Sequence, residues 1–276
     1  MQPITSSNSK RYKDALQLHR SRGRKKQGRI IVFGWREVLR AIKSGVRPGE
    51  VFLCNGKSQG EPLEELRSLL TDQAGGGDQG DPFYLLADDL FQSLSYGDRM
   101  DGVIMTASRP DSVLASLDRK LDGESDNSLI VVCERLENPG NLGGLVRSAD
   151  GSGAAAVIVA DALTDAFHPN AIRNSAGAVF RTPVATGSAQ EIRDWLLERK
   201  YKILVATPDA EDAFFDKDLT GKTSIVLGNE AAGVSDQWRG DAVEPFRLPM
   251  LGIADSLNVS VTGAILMYEA LRQKTQ

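Results

Sequence analysis

From residue 128 onward the chain carries short apolar runs, "SLIVVC", "AAAVIVA", "YKILVAT" and "TSIVLG", each rich in Val and Ile and each separated from the next by a helical pattern. Continuous rather than alternating apolar runs belong to strands buried on both faces, and helices between them supply the cover. The pattern therefore implies a parallel sheet in an α/β fold. Upstream, "RIIVFG", "EVFLCN", "PFYLLA" and "DGVIMTA" read as strands, and "WREVLRAIKSG", "EPLEELRSLLTD" and "DDLFQSLS" as helices. They make a second, smaller α/β unit ending near residue 108, with a flexible "QAGGGDQGD" loop inside it. The polar stretch "RPDSVLASLDRKLDGESDN", 109–127, is expected to be a linker holding a short helix and a hinge.

Charge is unevenly spread. Residues 10–29 hold nine Lys/Arg against one Asp, a charge of +8 in a chain of net −4, so the remaining residues carry −12. We read 1–29 as a basic flexible arm with two open roles. It is a footprint for a polyanion, carried by Arg22, Arg24, Lys25 and Lys26 with Tyr12 and His19 free to stack on bases, or a solvated tail. No apolar run has the length of a membrane span, and "MQPITSSNSK" lacks the apolar core of a secretory signal. Cys54 and Cys133 both sit in strand-like runs and read as buried thiols without metal-ligand spacing, which fits a reducing cytoplasm.

The stretch "ENPGNLGGLVRSAD", 137–150, is glycine-rich and opens a helix. A dinucleotide cradle needs G-x-G-x-x-G directly after a strand. Here Gly140, Gly143 and Gly144 come seven or more residues after Cys133, so the spacing argues against one. Leu142, Leu145, Val146 and Ala149 recur at helical spacing and define a core-facing stripe, with Arg147 on its flank. Asn141 is suited either to cap the helix or to hold a phosphate or hydroxyl. His168, before Pro169, reads as a helix cap.

Two later stretches add to this. "SIVLGNEAAGVS", 224–235, runs from a buried-type strand into a loop carrying Glu230. "FRLPMLGIADSLNVSVTGAILMYEAL", 246–271, places Ser256 and Asn258 at the mouth of an apolar helix. Leu257, Val261, Ala264, Ile265, Tyr268 and Leu271 form one face of it, Val259, Met267 and Ala270 the other, and the whole is expected to be buried in a core or a subunit interface.

Together "NPGNLGGLVRSAD", "LGNEAAGVS" and "LPMLGIADSLNVSVTGAILMYEAL" resemble the three motifs of the SpoU (TrmH) RNA ribose 2′-O-methyltransferases of the SPOUT class. "IRNSAGAVFRTPV" resembles the stretch between the first two motifs, and the likeness spans about 128–274. Residues 20–108 resemble, more loosely, the small RNA-binding domain that many members carry in front.

The resemblance implies a 128–276 methyltransferase domain with a trefoil knot, an N-terminal substrate-binding domain at 30–108, and a homodimer. Its cofactor is S-adenosylmethionine, which the match places at Gly228, Leu248 and Leu257, with Leu227, Ile253 and Val259 as neighbours. It makes Arg147 the central catalytic residue, helped by Asn141, Glu230, Ser256 and Asn258. Glu230 would organise its loop or pair with an arginine, and Arg173 would be a second phosphate ligand. Ribosomal RNA is the expected substrate, with transfer RNA, or RNA binding without catalysis, as the alternatives.

Overall fold

The computed structural model describes residues 1–56, 58, 60–74, 81–97, 101–121, 123 and 125–276, so the loop read at 73–81 lies largely outside the described residues. The chain forms two compact units, Met1–Pro110 with Phe167–Arg181, and Asp111–Ala166 with Thr182–Gln276.

The first unit begins with β1 (Gln2–Ile4), α1 (Lys10–Gln17), α2 (Ser21–Gln27), β2 (Arg29–Phe33), α3 (Trp35–Lys43) and β3 (Pro48–Cys54). It continues with α4 (Glu61–Ala74), β4 (Phe83–Leu86), α5 (Asp88–Leu94) and β5 (Val103–Ser108). Its sheet runs β1-β4-β3-β5-β2, parallel across β1, β4 and β3 and antiparallel at β5 and β2.

The expected flexible arm is instead folded. β1 pairs with β4, and Tyr12, Ala15 and Leu18 enter a core with Ile31, Phe52 and Phe91. The apolar residues of this segment are few, and Tyr12, Ala15 and Leu18 share the inner side of α1 while Leu16 is exposed; the charge count concealed them.

The second unit contains α6 (Leu117–Lys120), β6 (Leu129–Glu134), α7 (Pro139–Ser152) and β7 (Ala156–Ala160). The helix α8 (Pro169–Asn174) then joins the first unit, packing on β2. The second unit resumes with β8 (Val184–Gly187), α9 (Ala189–Glu198), β9 (Lys202–Ala206), β10 (Thr223–Leu227), β11 (Glu244–Phe246) and α10 (Val259–Lys274).

Its six strands are all parallel, in the order β11-β9-β10-β6-β7-β8. Strands β6, β7 and β10 are buried along their whole length, as continuous apolar runs require. The 109–127 stretch does hold a short helix, but Leu117 is fully buried in the core of this unit, and Val113 bridges to Thr186. Much of the expected linker is thus part of the fold.

The helix α7 starts at Pro139 rather than near Leu142, because the Asn138 side chain accepts from Gly140 N–H and Pro139 takes a first-turn position where no donor is needed. Leu142, Leu145, Val146 and Ala149 are all fully buried, each large member contributing about 1.5–3 kcal/mol.

Against this stripe lies α10, whose buried residues are Val259, Gly263, Leu266, Met267 and Ala270. The two backbones approach closely. A Cβ on Gly144 would stand 3.1 Å from Ser260 Cβ, and one on Gly263 would run into Leu145 Cδ2. Only part of α10 is covered: Val261, Ile265 and Tyr268 are 48%, 37% and 52% exposed.

Gly263→Ala sets two effects against each other. Helix propensity favours alanine by about 1 kcal/mol, and overpacking against Leu145 costs about 1–3 kcal/mol. A net loss of stability is expected from chemical denaturation midpoints; an unchanged or raised midpoint would contradict the close approach of the two helices.

Candidate functional site

All three sequence motifs leave the carboxyl edge of the same parallel sheet, the first after β6, the second after β10 and the third after β11. That edge is where ligands of parallel α/β sheets gather.

The second loop is built on Asn229, which sequence reasoning passed over. Asn229 and Gly233 exchange backbone hydrogen bonds of 3.0 and 2.9 Å, and the Asn229 Oδ1 accepts from Ala231 and Ala232 N–H. Its Nδ2 donates to the Arg135 carbonyl at 2.9 Å, tying the loop to the end of β6. Glu134, fully buried, accepts from both the backbone and the hydroxyl of Ser235. Gly228 is packed so closely against the backbone of Gly233 and Val234 that a Cβ has no room. The recognisable signals were the Asn after a Gly at a strand end and an acid closing an apolar strand.

Three of the expected catalytic side chains meet. Asn141 Nδ2 donates to Glu230 Oε1 at 2.6 Å, and Asn258 Nδ2 donates to Asn141 Oδ1 at 3.1 Å. Asn258 caps α10 with its Oδ1, accepting from Ser260 N–H and Oγ. One chain of polar contacts therefore runs through all three motifs.

The details differ from the sequence reading. Asn138, not Asn141, caps α7, and Glu230 pairs with an amide rather than an arginine, leaving Asn229 as the loop's organiser. Ser256 is exposed and takes no hydrogen bond from any described residue; Ser260 is the hydroxyl in the cluster.

Arg147 stands on α7 between Gly144 and Gly151, on the strip that turns toward α10. It is exposed and makes no ion pair or hydrogen bond among the described residues. It is therefore an uncommitted cation on the strip of α7 that faces α10.

The third loop exposes apolar side chains: Leu251 and Ile253 fully, Leu257 by 38%, with Leu248 half-buried. Leu227 and Val259 are buried at the adjoining ends of β10 and α10. Burial pushes the thiol of Cys133, in β6, up to about 12 and leaves it chemically inert.

Of the basic residues singled out in the first unit, Arg22, Lys25 and Lys26 lie exposed on α2. Arg24 does not: it is fully buried, with Nη1 donating to the Leu18 and His19 carbonyls, and fixes the turn between α1 and α2. Tyr12 is also buried, its hydroxyl donating to the Leu90 carbonyl, so it presents no free ring. His19 is half-buried, with Nε2 on the Leu94 carbonyl, and burial lowers its pKa. Arg173, on α8, is exposed within the first unit, and His168 does cap that helix, its Nδ1 accepting from Asn170 N–H. No helix among the described residues is long and apolar enough to cross a membrane.

Comparison with known proteins places this geometry. Residues 128–268 match the model of the SpoU rRNA Methylase family, and residues 9–105 match an MRM3-like substrate binding domain. The second match begins inside the segment expected to be an unfolded arm, in agreement with its helices.

A 23S rRNA (uridine(2479)-2′-O)-methyltransferase of Streptomyces viridochromogenes is 31% identical over 98% of this chain and 92% of its own. A solved RNA 2′-O ribose methyltransferase is 33% identical, with a TM-score of 0.80 over 99% of this chain and 100% of that one. The SpoU methyltransferase AviRb from Streptomyces viridochromogenes, solved in complex with AdoMet, is 25% identical, with a TM-score of 0.82 over 96% of this chain and 98% of that one.

Proposed function

The chain belongs to the SpoU rRNA methylase family, and on that premise we propose that it transfers a methyl group from S-adenosylmethionine to a ribose 2′-hydroxyl of ribosomal RNA. The observation that carries the site assignment is the hydrogen-bonded chain Asn258–Asn141–Glu230 with Arg147 uncommitted on α7.

The cofactor supplies an electrophilic methyl on a sulfonium. The residues at the sheet edge fit it. Leu257 and Ile253 offer uncovered apolar surface for an adenine, with Leu248, Leu227 and Val259 behind them, and Gly228 keeps the second loop tight beside the strand end.

Arg147 binds the phosphate next to the target ribose and stabilises charge as it develops on the 2′-oxygen. Asn141, with both amide ends held, fixes the first motif against the second and third. Asn258 and Ser260 set the entry of α10, and Ser256, on the exposed loop, closes on the ribose hydroxyl. Positioning of this kind contributes up to about 7–11 kcal/mol toward the barrier.

Homodimerisation is part of the same reading. Its support is the row Val261, Ile265 and Tyr268, a partly exposed apolar face on a helix that already buries its other face. Arg147 borders that face, so a second copy would complete the substrate cleft. The trefoil knot belongs to the same reading; in the strand order the later strand β10 enters between β9 and β6 rather than at an edge. The exposed Arg22, Lys25 and Lys26 hold RNA phosphates, and the buried thiols of Cys54 and Cys133 suit the cytoplasm.

Arg147→Ala is expected to abolish methyl transfer while calorimetry shows S-adenosylmethionine binding within about twofold of the parent; full activity in this variant would sink the assignment. Placing a charge in the apolar row with Ile265→Asp should give a monomer by sedimentation and lose activity, whereas an intact dimer would move the interface elsewhere. Replacing Arg22, Lys25 and Lys26 together by Ala should make the slope of log K against log salt shallower by about 0.7–0.9 for each phosphate the protein no longer neutralises, and an unchanged slope would remove α2 from the RNA surface.

A further inference from the structure

Arg135 directly follows β6, at the carboxyl edge of the parallel sheet where the three motifs leave it. Its backbone turns left-handed there, with a φ of +51°. A residue with a Cβ rarely adopts that conformation, and keeps it only where surrounding bonds impose it. Here they do. The Arg135 N–H donates to the Ala160 carbonyl of β7 at 2.9 Å, and the Arg135 carbonyl accepts from Asn229 Nδ2 at 2.9 Å. The residue is pinned between the neighbouring strand and the second motif loop, whose Glu230 accepts from Asn141.

The side chain has no such ties. Arg135 is exposed, and its guanidinium makes no hydrogen bond or ion pair with any described residue. The acids nearest it in the chain and at the same sheet edge are committed elsewhere. Glu134 accepts from Ser235, Glu137 from Asn229 Nδ2 at 3.3 Å, and Asp161, which follows β7, from Ala189 N–H at 3.4 Å. A cation anchored through its backbone and left unpaired among engaged carboxylates is available to an anion from outside.

The left-handed turn alone does not decide this, as Lys200 shows. Lys200 has a φ of +60° and is also exposed and unpaired among the described residues, but it lies between α9 and β9, at the amino edge of the sheet. A left-handed residue there is an ordinary helix ending. What sets Arg135 apart is its place beside the motifs.

The proposed reaction brings two anions to this edge, the RNA backbone and the carboxylate of the cofactor. An exposed guanidinium suits a strand running past it better than a small molecule, whose site encloses most of its surface. A ribose in a strand is flanked by two phosphates, and Arg147 accounts for one. Arg173, read from the sequence as the second ligand, belongs to the first unit. We propose that Arg135 binds a second phosphate of the RNA strand that carries the target ribose. The proposal rests on the RNA reading above and adds a substrate anchor to the same site.

The test follows methyl transfer from labelled S-adenosylmethionine to ribosomal RNA isolated from cells that lack the protein. Arg135→Gly relieves the left-handed turn and Arg135→Asn tolerates it; both are expected to raise KM for the RNA about tenfold, with kcat within about twofold of the parent. Binding to the same RNA should lose about 0.7–0.9 from the slope of log K against log salt, the share of one phosphate. Arg135→Lys keeps the charge and should hold KM within about threefold of the parent. Lys200→Gly makes the same change of backbone and charge at the opposite edge and should leave KM unchanged. Calorimetric affinity for S-adenosylmethionine and the melting temperature should not fall in any of the variants.

An unchanged KM in both neutral variants, with the parent active, would overturn the phosphate assignment and leave the proposed function standing. A loss of cofactor affinity without a change in KM for RNA would put Arg135 on the cofactor and overturn it. An equal rise of KM in Lys200→Gly would reduce the effect to overall charge, and a fall in melting temperature in both neutral variants would make the residue structural; either overturns it. A parent that transfers no methyl to this RNA would overturn the proposed function and this anchor together.

Discussion

The packing of α10 onto α7 is the interaction on which the rest of the second unit depends. Its closeness is set by Gly144 and Gly263, where a single added carbon would meet Ser260 or Leu145. Because the helices touch, the cap of α10 lies beside the first turn of α7, and Asn258 reaches Asn141. Because Asn229 ties the second loop to the end of β6, Glu230 reaches Asn141 from the other side. Apolar packing thus fixes the helices, and three side-chain hydrogen bonds then fix the loops.

The same arrangement separates structural polarity from polarity left for a ligand. Asn138, Asn229, Glu134 and Ser235 spend their hydrogen bonds inside the protein, holding a helix start and a loop. Arg147, by contrast, spends none among the described residues. A cation beside an organised polar cluster and a half-covered apolar helix face is the arrangement on which the proposed RNA contact and dimer both rest. Glu269, also on α10, is held low, at about 2, by hydrogen bonds from Arg272 and Gln273, so it is already paired.

Much of this was legible in the sequence where local pattern and long-range packing agree. The Val/Ile runs became strands of the parallel sheet, and the stripe Leu142, Leu145, Val146 and Ala149 became the buried face of α7. Pattern failed where a few apolar residues act inside a charged stretch. Tyr12, Ala15 and Leu18 fold α1 into the first core, and Arg24 is a buried brace rather than an RNA ligand. Periodicity also could not say which face of α10 turns inward: Val261, Ile265 and Tyr268 are left open while Val259, Leu266 and Met267 are buried, because Gly263 and Ala270 on the inner face allow close approach. Asn229 escaped notice because a loop-closing asparagine looks like any turn residue until its partners are seen.

The central claim is that an uncommitted cation and a three-motif amide cluster orient a ribose hydroxyl of ribosomal RNA for methylation. The most direct measurement is a map of ribose 2′-O-methylation across ribosomal RNA from cells with and without this protein, read at single-nucleotide resolution. The mechanism predicts loss of methylation at one defined position, restored by the parent chain and not by an Arg147 variant. A methylation profile identical in the presence and absence of the protein would contradict it.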